Sequence, residues 1–248
     1  MEKPANLRLF SSFRVRVVLS ASASLVLLTS GCQTITGATG PTSALVRLIN
    51  AADSLATYDV FATQHVLASG AGFSAITNYT SLAAGSYQIK VNLSGTNTQV
   101  ASTIVGRFTI GNDYTILLPF DFPNESPIIV RDETQAAAGF FDVRFINEGS
   151  NSGSVDLYAL PGATNLIDAK PIIVNAPVGF IGTYLSLPPG TYKIAVLPTG
   201  TVPTSKTVPL FVPTATTFTQ GQVRTLVLVD AQLTVNPPVN LLIASDVN

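Results

Sequence analysis

The chain reads as an all-β protein, two tandem immunoglobulin-like antiparallel β-sandwich domains behind a cleaved lipoprotein signal peptide. Three observations predict this. Hydrophobic residues fill 46% of the 248 positions and charged residues 11%, well under the roughly 25% usual for soluble domains, so Thr, Ser, Asn and Gln must supply the polar surface. Eighteen glycines and 16 prolines divide the chain into short β-branched runs, the usage of strands joined by tight turns. Finally, blocks of sequence recur in the same order in the two halves.

The N-terminal segment, residues 1–31, carries an address. Lys3, Arg8, Arg14 and Arg16 precede an apolar run from Val17 to Leu28, shorter than the about 20 residues that cross a bilayer and suited to a signal-peptide core. Thr29-Ser30-Gly31-Cys32 ends it. Small residues before the sole cysteine resemble a bacterial lipobox, although Thr29 stands where Leu is commonest and Leu28 lies one place early. The resemblance implies cleavage before Cys32, lipidation of its sulfur and acylation by chains such as palmitate. Two or more acyl chains hold a protein on its membrane. The alternative reading of Cys32 is a buried free thiol; with no second cysteine, a disulfide within the chain is excluded. Gln33 follows, where the enterobacterial lipoproteins this resembles usually need Asp for inner-membrane retention. A lipid-anchored place in the cell envelope is expected, at the outer membrane if the host has two.

Residues 32–43 hold the cysteine and a tether with two Gly, one Pro and four Thr and no hydrophobic period. Cleavage takes four of the 13 basic and one of the 14 acidic residues, leaving a net charge of −4. Such a surface lacks the basic stripe that phosphate contacts require, which argues against nucleic acid as a partner.

The repeat begins at Val46-Arg47-Leu48-Ile49-Asn50, which returns as Val143-Arg144-Phe145-Ile146-Asn147, and Asp59-Val60-Phe61 returns as Asp156-Leu157-Tyr158, both displaced by 97. Leu82 to Ile89, containing Gly85-Ser86-Tyr87, matches Leu187 to Ile194, containing Gly190-Thr191-Tyr192, displaced by 105. Tyr114 to Leu118 matches Arg224 to Leu228 at 110. Matched blocks with insertions only between them mean a duplicated domain. The first copy is set at 44–133, a linker at 134–140 and the second copy at 141–248. Strands are expected near 45–49, 57–62, 74–80, 86–93, 101–110, 113–119 and 126–131. In one of them Tyr87, Ile89 and Val91 alternate with Gln88 and Lys90 and so face a core. Seven short strands per copy suit a sandwich, with a closed barrel as the alternative.

The "VRxIN", "DVF" or "DLY", and "LxxGxYxI" blocks resemble the DUF4397 family of bacterial secreted and surface proteins, in two copies over about four fifths of the chain. The resemblance implies an extracytoplasmic β-sandwich module and brings no established activity.

Residues kept by both copies are the best guide to chemistry. Arg47 with Asp59, and Arg144 with Asp156, are each 12 apart and could meet across adjacent strands as charge-assisted pairs. Such a pair would be a polar binding site on each domain or a structural cross-strand bridge; the alternative is that the aspartates accept hydrogen bonds from turns. Asn50 and Asn147 suit Asx turns. His65, the only histidine, has no counterpart in the second copy and reads as a surface-loop residue, without the spacing of a zinc site or a hydrolase triad. Asp132-Glu133, and Asp53 with Asp59, look like loop acids rather than the paired carboxylates of a glycosidase. Tyr79, Tyr87, Tyr184 and Tyr192 form repeat-matched pairs suited to a framework. Gly70-Ala71-Gly72 lacks the continuation of a phosphate loop. No catalytic residue, metal site or cofactor is expected.

The expectation is therefore a non-catalytic, membrane-anchored surface or envelope interaction module, whose partners are the membrane through Cys32 and an envelope protein or glycan. The alternative is a polysaccharide- or peptidoglycan-binding module; a hydrolase ranks last.

Overall fold

The computed structural model describes residues 42–101, 103–210, 214–232 and 238–246. The expected signal peptide, Cys32 and most of the tether lie outside them. Among the described residues no helix is long and apolar enough to cross a membrane.

The first copy is two sheets face to face. Ala44–Asn50 (β1), Thr80–Leu82 (β4), Asp113–Leu118 (β7) and Ile128–Asp132 (β8) form one, in the order β4-β1-β7-β8. Tyr58–Ala62 (β2), His65–Ala71 (β3), Gly85–Leu93 (β5) and Ile104–Phe108 (β6) form the other, in the order β3-β2-β5-β6. The alternation of β5 places Ile89 and Val91 fully inside, with Tyr87 half-buried against the same core. Val46, Leu48, Ile116 and Leu118 meet them from the opposite sheet.

The second copy repeats this plan. Phe141–Glu148 (β9), Phe180–Ile181 (β12), Val223–Asp230 (β16) and Val239–Ser245 (β17) run in the order β12-β9-β16-β17, and Leu185–Leu187 (β13) also pairs with β9. Facing them, Val155–Pro161 (β10), Ile173–Ala176 (β11), Gly190–Pro198 (β14) and Ala215–Phe218 (β15) run in the order β11-β10-β14-β15. Phe141, Phe145, Leu157, Val196 and Phe218 fill the core between them. The sheets stay open as sandwiches and do not close into a barrel.

Pairing is antiparallel except at one place in each copy. β1 runs parallel to β7, Val46 opposite Tyr114, and β9 runs parallel to β16, Val143 opposite Arg224. A parallel neighbour needs a long connection, and here the chain runs through two strands of the opposite sheet, returns for β4, or for β12 and β13, and runs through the other two before it reaches the parallel strand.

These parallel strands are buried on both faces. Nearly every residue of β1, β7, β9 and β16 is inside, because their outward sides pack against the other copy. Ile49, Ala51 and Leu117 of the first copy form one apolar cluster with Ile146, Val227, Val229 and Ala244 of the second. The two sandwiches thus stack as four layers. The residues expected to link them, 134–140, run between β8 and β9, with Ala136 buried.

Two strand expectations need correction. The stretch 74–80 is mostly irregular, touching β1 through an Ile49–Ile76 bridge before β4 begins at Thr80. His65 opens strand β3 and does not sit in a loop, although it is exposed. β3 is rich in small residues, and its register with β2 shifts twice, which erases the two-residue period that marks a strand.

The eight-residue insertion lies between β10 and β11. In the first copy Thr63 and Gln64 alone turn β2 into β3. In the second, the longer connection folds back through a 3-10 turn at Leu166–Asp168. Leu166 and Ala169 cover Tyr158, Leu160, Ala195 and Leu197 on the outer face of the sheet. The matching positions in the first copy are Phe61, Thr63, Lys90 and Asn92, a more polar face that needs no cover.

Candidate functional site

The repeat-matched charges meet at the seam between the copies. In β1 and β9 the alternation that sends Ile49 and Ile146 into the seam sends Arg47 and Arg144 there too. Both arginines are almost wholly buried, 1% and 2% exposed.

Each guanidinium is held by its own copy's threonine and by the other copy's aspartate. Arg47 Nε donates to Thr115 Oγ1 at 2.8 Å, its Nη2 pairs with Asp246 Oδ1, and its Nη1 donates to the Ser245 carbonyl at 2.6 Å. Arg144 Nη2 donates to Thr225 Oγ1 at 2.8 Å and to Asp132 Oδ1 at 2.5 Å, and its Nη1 donates to the Arg131 carbonyl at 3.0 Å. Thr115 then donates to Asp132 Oδ2, and Thr225 to Asp246 Oδ2, each at 2.7 Å. The side chains close a ring: Arg47, Asp246, Thr225, Arg144, Asp132, Thr115. Exchanging the copies maps the ring onto itself, the pattern of an isologous interface between like subunits.

Two tyrosines cap it. Tyr79 and Tyr184 donate to Asp132 Oδ2 and Asp246 Oδ2, each at 2.7 Å, and lie under the guanidiniums of Arg47 and Arg144 at 4.8 and 4.7 Å. Burial, joined by the charge of Asp132 or Asp246, pushes both phenols well above the ordinary tyrosine range. Burial alone would lower Arg47, but Asp246 beside it carries its pKa above the ordinary value.

Arg47 therefore does not meet Asp59, nor Arg144 Asp156. The arginines face the seam, whereas Asp59 and Asp156 lie on the opposite sheets, where they organise turns. Asp59 accepts from the Gly70 and Gly95 N–H groups at 2.7 and 3.0 Å and from the Ser94 hydroxyl at 2.9 Å. Those backbone donors hold its carboxyl below the usual range. Asp156 accepts from Asn175 and Gly200 N–H groups and the Thr199 hydroxyl. Asn50 Oδ1 accepts from Ala52 N–H and Asn147 Oδ1 from Gly149 N–H, Asx turns in both copies.

The remaining motif residues are framework. Tyr87 and Tyr192 donate to the carbonyls of Ala83 and Pro188, four residues back. A Cβ on Gly85 would lie 3.3 Å from the Tyr87 ring, a tight contact, and one on Gly190 would lie 3.5 Å from that of Tyr192, an ordinary one. The His65 ring sits 5.9 Å from that of Tyr87. Among the described residues no group of three or more His, Cys, Asp or Glu side chains is placed to hold a metal.

Sequence reasoning missed the ring because Asp132 and Asp246 lie outside the matched blocks, at the ends of β8 and β17. What the two share is register across the sheet: Val130 pairs with Thr115 and Ala244 with Thr225, each two residues before its aspartate. Along the chain, Asp132 follows Leu118 by 14 residues and Asp246 follows Leu228 by 18, so no common spacing marks them. Beside the ring opens a groove of about 550 Å³, lined among others by Asn112, Arg131, Glu133, Gln135, Thr183 and Tyr184. Burial and the charge of Asp142 raise the Glu133 carboxyl there.

The sequence model of the family described as Domain of unknown function (DUF4397) matches residues 44–158. That stretch takes in the first sandwich and continues through β9 into β10. No curated protein matches the chain.

Proposed function

We propose, for a chain that belongs over residues 44–158 to the DUF4397 family, a non-catalytic role as a lipid-anchored interaction module of the cell envelope, its second sandwich being a further copy of the same unit. The observation that carries this reading is the ring. The arginines both copies retain are buried and hydrogen-bonded to Thr115, Thr225, Asp132 and Asp246, so they fix one sandwich to the other, while the retained Asp59 and Asp156 are taken up by turns. A stack of four sheets on an acylated tether is a rigid surface held at a membrane. Lipidation at Cys32 rests on the basic, apolar and small residues before it.

Two experiments test the proposal. Labelled palmitate should enter the wild-type protein and be absent from C32S; equal labelling, or none in either, overturns the anchor. Crosslinking in native membranes should capture an envelope protein through the sandwiches. The groove beside Tyr184, whose lining mixes the amides and hydroxyls of Asn112, Gln135 and Thr183 with the charged Arg131 and Glu133, favours a polysaccharide or peptidoglycan ligand as the second reading. Saturable binding on a glycan array by the fragment from residue 34, lost on changing Gln135 and Thr183, would replace the first reading with this one.

A further inference from the structure

Glu148 ends β9 on the side that carries Arg144 and Ile146 into the seam. It is 0% exposed. Its Oε2 accepts from the N–H of Phe120, in the first copy, at 3.0 Å. Its Oε1 is buried and has no hydrogen-bond partner among the described residues. The seam does not need a carboxylate for packing: the matching residue in the first copy is Ala51, whose N–H donates to the Leu118 carbonyl at 2.9 Å.

The surroundings oppose a charge. Arg47 and Arg144 are engaged by Asp246 and Asp132. Asp230, at the end of the neighbouring strand β16, accepts from Ser150 and Asn151. Glu125, in the connection between β7 and β8, adds repulsion. One backbone N–H cannot replace the water an ionised carboxylate loses on burial.

We propose that Glu148 is a proton-operated latch between the two sandwiches, seated against Phe120 while protonated and released from the seam when it ionises. Burial, with Glu125 reinforcing it and the Phe120 N–H opposing it, pushes the carboxyl up to about 7. The folded chain then holds the proton more tightly than the unfolded chain, whose carboxyl titrates near 4.5. The contribution of the closed seam is complete below that lower value, declines as pH rises toward 7 and levels off above it. Opening the seam lets the carboxylate reach water.

The test compares the full chain with E148Q, which keeps the shape and cannot ionise. Between pH 5 and 8 the wild-type melting temperature should fall by about 5–10 °C more than that of E148Q. Above pH 7, amide exchange around Phe120, corrected for its intrinsic pH dependence, should rise several-fold in the wild type and stay flat in E148Q. Burial also raises Asp113 and Glu133, so the difference between the two proteins isolates Glu148. Parallel melting curves, or a Glu148 carboxyl carbon titrating near 4.5, would overturn the latch. If E148Q does not fold, E148A, which restores the residue of the first copy, serves for the same comparison.

Discussion

At the seam each aspartate depends on a guanidinium from the other copy. Among the described residues, removing Arg47 leaves the buried Asp246 carboxylate with hydrogen bonds from Thr225 and Tyr184. R47M should therefore cost about 3–5 kcal/mol in a urea melt, because the loss includes an uncompensated buried charge. T115V removes a neutral bridge between Arg47 and Asp132 and should cost less, about 1–3 kcal/mol. If both substitutions cost the same, the ring does not act as a charge network. The tyrosines offer an optical check. Since Tyr79 and Tyr184 are pushed far above the ordinary range, the phenolate absorbance gained near pH 11 in the folded protein should be unchanged in Y79F; a drop would mean that Tyr79 titrates freely.

Individual strands show which elements the sequence reveals and which it hides. In the first sandwich a Cβ on Gly106 would lie 2.6 Å from Ile129 Cδ1 and 2.8 Å from Phe108, so β8 lies close over β6. G106A should cost about 1–3 kcal/mol by overpacking, read by thermal or urea melts. Its counterpart in the second sandwich is Thr216, and there Ile243, opposite, is 38% exposed. The inserted connection makes a second case. L166D should uncover Leu160 and Leu197 and raise binding of a hydrophobic dye, while K90D on the uncovered first copy should not. β5 was legible because Tyr87, Ile89 and Val91 alternate with polar residues at a surface wet on one side. β3 was not, since small residues and register shifts carry no period. The partners of Arg47 and Arg144 were hidden for another reason: spacing along the chain does not say which sheet a partner lies in, and these contacts cross between copies, Arg47 with Asp246 199 residues on and Arg144 with Asp132 only 12 residues back.

For the whole molecule, the decisive feature is that four strands are buried along both faces. A strand that reads Thr225-Leu226-Val227-Leu228-Val229 has no wet side, the usage of sheets covered on both faces; read alone, each copy would expose it. Stacking removes that exposure, and the seam cluster and the ring then make each sandwich part of the other's core. The chain from Ala44 onward should accordingly unfold in one step. A unit of about 200 residues unfolding together has an enthalpy of roughly 140 kcal/mol near 60 °C, and two independent sandwiches would each show about half of that as the van't Hoff value. Calorimetry on the wild type should give a single peak whose van't Hoff and calorimetric enthalpies agree. Putting like charges into the centre of the seam, as in L117D/V227D, should split the peak or halve the van't Hoff enthalpy while each sandwich core, built on residues such as Ile89 and Val196, stays intact. Two peaks in the wild type would show instead that the sandwiches fold independently and that the ring only orients them.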